Sequence, residues 1–401
     1  SAGDARADAL GVNASLGASL GASVAIATVE PTLLTYVGNA DLTAQGGSVT
    51  LTSRHNQDDE QAFAKAINGS GALLVGAAGA YAEAGDSATV DTYVASGAAI
   101  VAGSDVRLKS LVSGDAEAET TGVGGGTVGI GVSLAYADAT GSTWTYIGDT
   151  DIRAGQDVEV TSDTSYRAAT DTLAVAGGLV SGSGNVSEST IDPTVRAQIR
   201  AGAVVIAGDE VIVTANTETA ADADTQGVAA GLAAVGVSQA VSTVDADVTA
   251  YAGGLGTTIT AGSLVVTAAQ TFPTDDYSAE AYATGSSGGL VGVNATEATA
   301  ETTGTVTGYV GEQTTLVIAD TVTIQATGDS KQKAEGDSNN YGLVAAGGNV
   351  GDAISDVDTY AYLGNGVTIT AGDTIGGLSD GGLYYVVVDD IREFDPMADI
   401  S

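Results

Sequence analysis

Short phrases that alternate apolar and polar residues with a period of two recur along this chain. They run GGSVTLTS from Gly46, AGSDVRLKS from Ala102, AGQDVEVTS from Ala154, AGDEVIVTA from Ala207, AGSLVVTA from Ala261 and ADTVTIQAT from Ala319. That period is the signature of a strand with one buried face. Aligned, they give one apolar column, Val49, Val106, Val158, Val211, Leu264 and Val322, and a second, Leu51, Leu108, Val160, Val213, Val266 and Ile324. The residues between them vary: Thr50, Arg107, Glu159, Ile212, Val265 and Thr323. Stacked coils require this, because an inward residue meets its equivalent one repeat away while an outward residue meets water.

Two further landmarks keep the same step. A short phrase holds Tyr36, Tyr93, Tyr146, Tyr251, Tyr309 and Tyr362, with Gln198 in the fourth repeat, at spacings of 57, 53, 52, 53, 58 and 53 residues. A Gly/Ala-rich stretch opens each repeat, as in GVGGGTVGIGVSLAYADA from Gly122. Such small residues predict strands lying close to a neighbouring layer, and Gly supplies positive φ at coil corners. The fold expected is all-β, a right-handed parallel β-solenoid (β-helix) of about seven multi-coil repeats over residues 1–375. A repeat of about 55 residues is expected to hold two or three coils, giving a rod of roughly 70–100 Å. An array of small β-sandwiches is the competing architecture, but a domain of that size with few aromatics would be marginal alone. Residues 376–401 depart from the pattern: Tyr384, Tyr385 and Phe394 cluster there and Leu383 to Val388 reads as a strand, so this segment is expected to be a cap, a junction or a subunit contact.

Composition narrows the function. The 50 acidic and 12 basic residues give a formal net charge of −38. That surface repels a phosphate backbone and anionic lipid headgroups, so neither nucleic acid nor membrane is an expected partner. Residues 9–29 are free of charge but rich in Gly, Ser and Ala, and strand and turn suit them better than a spanning helix. Cysteine is absent, which removes disulfides, thiolate metal sites and thiol catalysis.

Candidate chemistry is sparse. His55, the single histidine, stands beside Asp58, Asp59 and Glu60, as a metal cluster or, on the plainer reading, as part of a polar loop between repeats. A transition-metal site ordinarily needs more His or Cys ligands. Gly124, Gly126 and Gly129 match G-x-G-x-x-G without the strand–helix setting a dinucleotide site needs. Acid pairs such as Asp245/Asp247, Asp275/Asp276, Asp356/Asp358 and Asp389/Asp390 leave weak calcium binding open, but no EF-hand loop appears. Thr-x-Thr pairs such as Thr50/Thr52 do not form the unbroken rank an ice-binding face needs. Asn13, Asn68, Asn185 and Asn294 head glycosylation sequons. Arg196 and Arg200 are the closest basic pair in mid-chain, and Lys331 and Lys333 near the end. No catalytic or cofactor-binding residue is assigned, and no enzymatic activity is expected.

The opening GVAAGLAAVGV at Gly227 and the phrase YIGDTDIRAGQDVEVT from Tyr146 resemble repeats of giant bacterial filamentous adhesins, the leukotoxin-family and haemagglutinin-like surface proteins. IGGLSDGGLYYVVVDD from Ile375 is similar to linker phrases between their repeat blocks. The resemblance implies secretion to the cell surface, a β-solenoid, and a structural or adhesive role. Expected partners are other surface-protein modules, copies of the chain itself, a host or neighbouring-cell surface, or polysaccharide. The alternative is a filament subunit stacking head to tail, and a weaker one a polysaccharide-acting β-helix enzyme.

Overall fold

A computed structural model describes residues 2–57 and 61–371. Residues 376–401, with the Leu383 to Val388 strand, lie outside the described residues. Three parallel sheets run through the described chain, and each contains seven rungs. One coil illustrates the unit. The strand Val106–Gly125 lies in a first long sheet, a tight arc at Gly126 and Thr127 reverses the chain, and Val128–Ile147 returns in a second long sheet. The short strand Asp151–Ala154 in the third sheet then closes the turn, and Val158–Gly177 begins the next coil directly on Val106–Gly125.

The register bears out both apolar columns. Val49 pairs Val106, Val106 pairs Val158, Val158 pairs Val211, Val211 pairs Leu264 and Leu264 pairs Val322. It also corrects the expected coil count. Each residue pairs with its equivalent in the next repeat, so one repeat is one turn and not two or three. Strands of 20 residues take up the length, where alternation alone fits equally well with several shorter ones. Seven rungs at about 4.8 Å make a stack roughly 30 Å tall, while a 20-residue strand spans about 65 Å. The described part is therefore a slab wider than tall, not a rod of 70–100 Å. The two longest spacings have a local cause. Six residues separate His55 from Ala62 where the next coil has three, and seven separate Thr271 from Ala279 where the preceding coil has two.

The interior tapers across the slab. At the three-sheet end, Val106, Leu108, Ile147 and Ile152 fill the space between sheets. Further along, Ala116 and Ala118 face Ala135, Ala137 and Ala139. At the arc only glycine fits. A Cβ on Gly131 would lie 2.5 Å from the Val175 carbonyl oxygen, and one on Gly124 would collide with that of Ile130. Ordinary stacked sheets keep about 10 Å between backbones, and here the two long sheets converge until backbones touch. The close packing expected of the Gly/Ala stretches is thus present. Positive φ serves the opposite end, where Gly97, Gly202 and Gly366 turn the chain into the short sheet, and it recurs inside long strands at Gly141 and Gly304.

Between the aliphatic and alanine zones runs a file of hydroxyls. Ser162 donates to Thr145, Thr145 to Ser110, Ser110 to Thr92, Thr92 to Ser53, and Ser53 to Thr35, each at 2.8–2.9 Å. The file zigzags between the two long sheets through the first four coils. In the next coil the same positions are Ala197 and Ala215, in register with Thr145 and Ser162.

Candidate functional site

The tyrosine landmark lies on the outer face of the second long sheet. Tyr93 pairs Tyr146 and Tyr309 pairs Tyr362 in register, so the rings stack one rung apart. Centroids are 5.1 Å apart for Tyr36 and Tyr93, 4.8 Å for Tyr93 and Tyr146, and 5.0 Å for both Tyr251–Tyr309 and Tyr309–Tyr362. One outward column therefore repeats its chemistry from coil to coil. On the outer face of the first long sheet the corresponding column varies instead, through Thr50, Arg107, Glu159 and Ile212, which breaks any threonine rank.

The ladder is interrupted once. Gln198 sits in register between Tyr146 and Tyr251. Its Oε1 accepts from Arg200 Nε at 3.1 Å and from the Tyr251 hydroxyl at 3.2 Å. The Arg200 guanidinium lies 3.3 Å from the Tyr146 ring centroid, where the next ring would stack. One column over, Arg196 pairs Trp144 in register and its guanidinium lies 5.2 Å from the indole centroid. The next residues in that column are Thr249 and Thr307, which are short. A groove of about 480 Å³ opens there, lined by Trp144, Arg196, Gln198, Arg200, Tyr251 and Tyr309, with the two threonines. Burial holds the Tyr251 hydroxyl above its ordinary pKa against Arg200 and Arg196, and burial with its ring neighbours pushes Tyr309 to about 12. Both phenols stay neutral donors at physiological pH. The sequence marked Arg196 and Arg200 as a basic pair and Gln198 as a lapse in the tyrosine phrase, but did not join them.

The other candidates come apart. His55 is not in a polar loop. The alternation Val49, Leu51, Ser53, His55 continues inward, and His55 is fully buried at the end of Val49–His55. Its Nε2 lies 3.4 Å from Asp86 Oδ1, and Asp86 Oδ2 accepts from Asn56 Nδ2 at 3.2 Å and from the Asp115 amide at 3.3 Å. Asp58, Asp59 and Glu60 lie outside the described residues, as do Asp389 and Asp390. Among the described residues no group of three or more acidic or imidazole side chains could hold a metal ion. Gly124 and Gly129 belong to the arc where sheets converge, so their chemistry is steric. Asn68, Asn185 and Asn294 are buried, which keeps those sequons from any glycosylating enzyme in the folded chain.

Carboxylates do meet on the first long sheet, at positions one rung apart that linear pairs did not reveal. Asp171 pairs Asp224, and Asp222 pairs Glu280. Burial, then Glu280 and Asp224, raises Asp222 to about 6; burial, then Asp171 and Glu280, raises Asp224 likewise. At the thin edge the arcs expose Leu74, Leu179, Leu232, Leu290 and Leu343, each by half or more. No helix among the described residues is long and apolar enough to cross a membrane.

Set against protein-family models, curated proteins and solved structures, the chain matches none.

Proposed function

We propose that this chain is a structural and adhesive segment of a large extracellular bacterial surface protein, a stalk unit without catalytic activity. The observation that carries the reading is the division of labour in each coil. The inner columns stay apolar from Val49 to Val322 and from Leu51 to Ile324, while most outward positions change freely. Such a stack transmits position along its axis and tolerates any surface, which suits a spacer. The net charge of −38 suits a polymer that must stay apart from its copies in solution. Partners are neighbouring modules of the same surface protein, with polysaccharide or another cell's surface as what it touches. The resemblance of its repeat phrases to those of filamentous adhesins supports the same reading.

A second reading is favoured by the first rung. Among the described residues, Ala5–Ser15 and Ala18–Val29 pair on one side only, with the second coil. An unpaired strand edge is a template for another strand, so copies can stack head to tail. Negative-stain electron microscopy of the purified chain separates the two. Discrete particles about 65 Å in their long dimension fit the stalk unit. Long fibres of uniform width support the filament subunit. Cleavage of an acidic polysaccharide by the pure chain would overturn both.

A further inference from the structure

The break in the tyrosine ladder concentrates positive charge in a strongly acidic protein. Several other cations pair with a carboxylate on the spot: Arg6 with Asp8, Lys65 with Glu119, Lys109 with Glu159, and Lys333 with Glu280. Arg196 and Arg200 do not, and they share one groove. Neither makes an ion pair among the described residues, and no carboxylate lines their groove; Asp91 feels Arg200 only at longer range. Both guanidiniums are held against aromatic rings, which fixes their direction without neutralising them. Two more donors at the groove, Arg196 Nε and Trp144 Nε1, are buried with no hydrogen-bond partner in the protein. Leaving a buried donor unpaired is costly, and its presence beside a cavity marks a place where an acceptor is missing.

We propose that this groove binds a carboxylated saccharide, a uronic-acid-type residue of an extracellular polysaccharide. The carboxylate meets the planar forks of Arg196 and Arg200, a geometry suited to bidentate contact. Sugar hydroxyls meet the hydroxyls of Thr249, Thr307 and the two tyrosines. The volume of about 480 Å³ falls in the range of small-ligand sites. The surrounding acidity disfavours a dense charge, so a single carboxylate per sugar suits the site better than a doubly charged phosphate ester. The inference gives a ligand class to the adhesive reading but does not need the stack to be a spacer.

Trp144 is the single tryptophan of the chain and lines the groove, so its fluorescence reports on it directly. Purified chain would be titrated with tetraglucuronic acid and with a neutral glucose tetramer. The expected result is a saturable change with the acidic oligosaccharide, at least tenfold tighter than with the neutral one and weakened by salt. Arg196→Gln with Arg200→Gln should weaken it at least tenfold. Gln198→Tyr completes the ladder and fills the groove, so that variant should melt no lower than the parent yet lose binding. No saturable response to the acid, equal affinity for the neutral sugar, or undiminished binding by a folded Gln198→Tyr chain would overturn the proposal. Displacement by sodium sulfate beyond that of sodium chloride at matched ionic strength would overturn the saccharide assignment in favour of a simple anion site.

Discussion

The two ends of one coil are built from the same strands by opposite means. At the three-sheet end, Ile147, Ile152, Val106 and Leu108 hold the sheets apart with side-chain volume. At the arc, Gly122, Gly124, Gly129 and Gly131 let the sheets close on each other because no side chain intervenes. The wide end is held by apolar burial. The thin edge gains little from burial and depends on backbone contact and hydrogen bonding between rungs. A single substitution should therefore injure the wide end by removing atoms and the thin edge by adding them.

The largest expected effects break that contrast directly. Ile152→Ala opens a cavity in a fully buried site and should cost about 4 kcal/mol. Gly124→Ala adds one methyl where the Ile130 carbonyl already stands and should cost about 3 kcal/mol. Denaturant unfolding of both variants checks this. Equal tolerance of added methyls at Gly124 and at exposed Gly46 would show that the sheets do not converge.

Smaller effects are expected in the hydroxyl file between the two zones. Ser110→Ala removes the donor to Thr92 and the acceptor for Thr145, and should cost about 1–2 kcal/mol. Ala215→Ser places a hydroxyl where the register offers Ala268 above, and should destabilise by about 1 kcal/mol. Thermal melts of the pair would show whether polar and alanine fillings of one column are interchangeable.

The least direct effect is on pH. Asp222 and Asp224 hold their protons to about pH 6, above the ordinary carboxylate range. The folded state binds those protons more tightly than the unfolded chain does. Their stabilising contribution is thus complete below about pH 4 and lost as pH rises through 6. The melting temperature should fall between pH 5 and 7.5. Asp222→Asn with Asp224→Asn should raise it at pH 7.5 and flatten that slope. An unchanged slope in the double variant would place the pH dependence elsewhere.

Much of this was legible in the sequence. The columns at Val106 and Leu108 and the tyrosine step appear in the structure with the pairing their spacing implied. The number of turns per repeat was not legible. Nothing in the alternation of Val106–Gly125 marks a 20-residue strand apart from two shorter ones, and glycines such as Gly114 look like turns. Gly114 instead makes room for the buried ring of Tyr166, whose Cδ1 would lie 2.6 Å from a Cβ there. His55 was hidden by its polar neighbours, though the inward parity from Val49 pointed to burial. The groove needed the register, because Trp144, Arg196 and Thr249 become neighbours only when coils are stacked.

One repeat makes one turn of the stack. The chain lacks cysteine, so a single engineered pair can test it without background. Thr161 and Thr214 are register partners on adjacent rungs, and Thr214 pairs Thr267 on the next. Strand neighbours about 4.8 Å apart lie within disulfide reach, and residues two rungs apart do not. Mass spectrometry after mild oxidation should find a disulfide in Thr161→Cys/Thr214→Cys and none in Thr161→Cys/Thr267→Cys. Failure of the first pair to close, in a chain that still folds, would rule out one turn per repeat and restore a repeat of several coils.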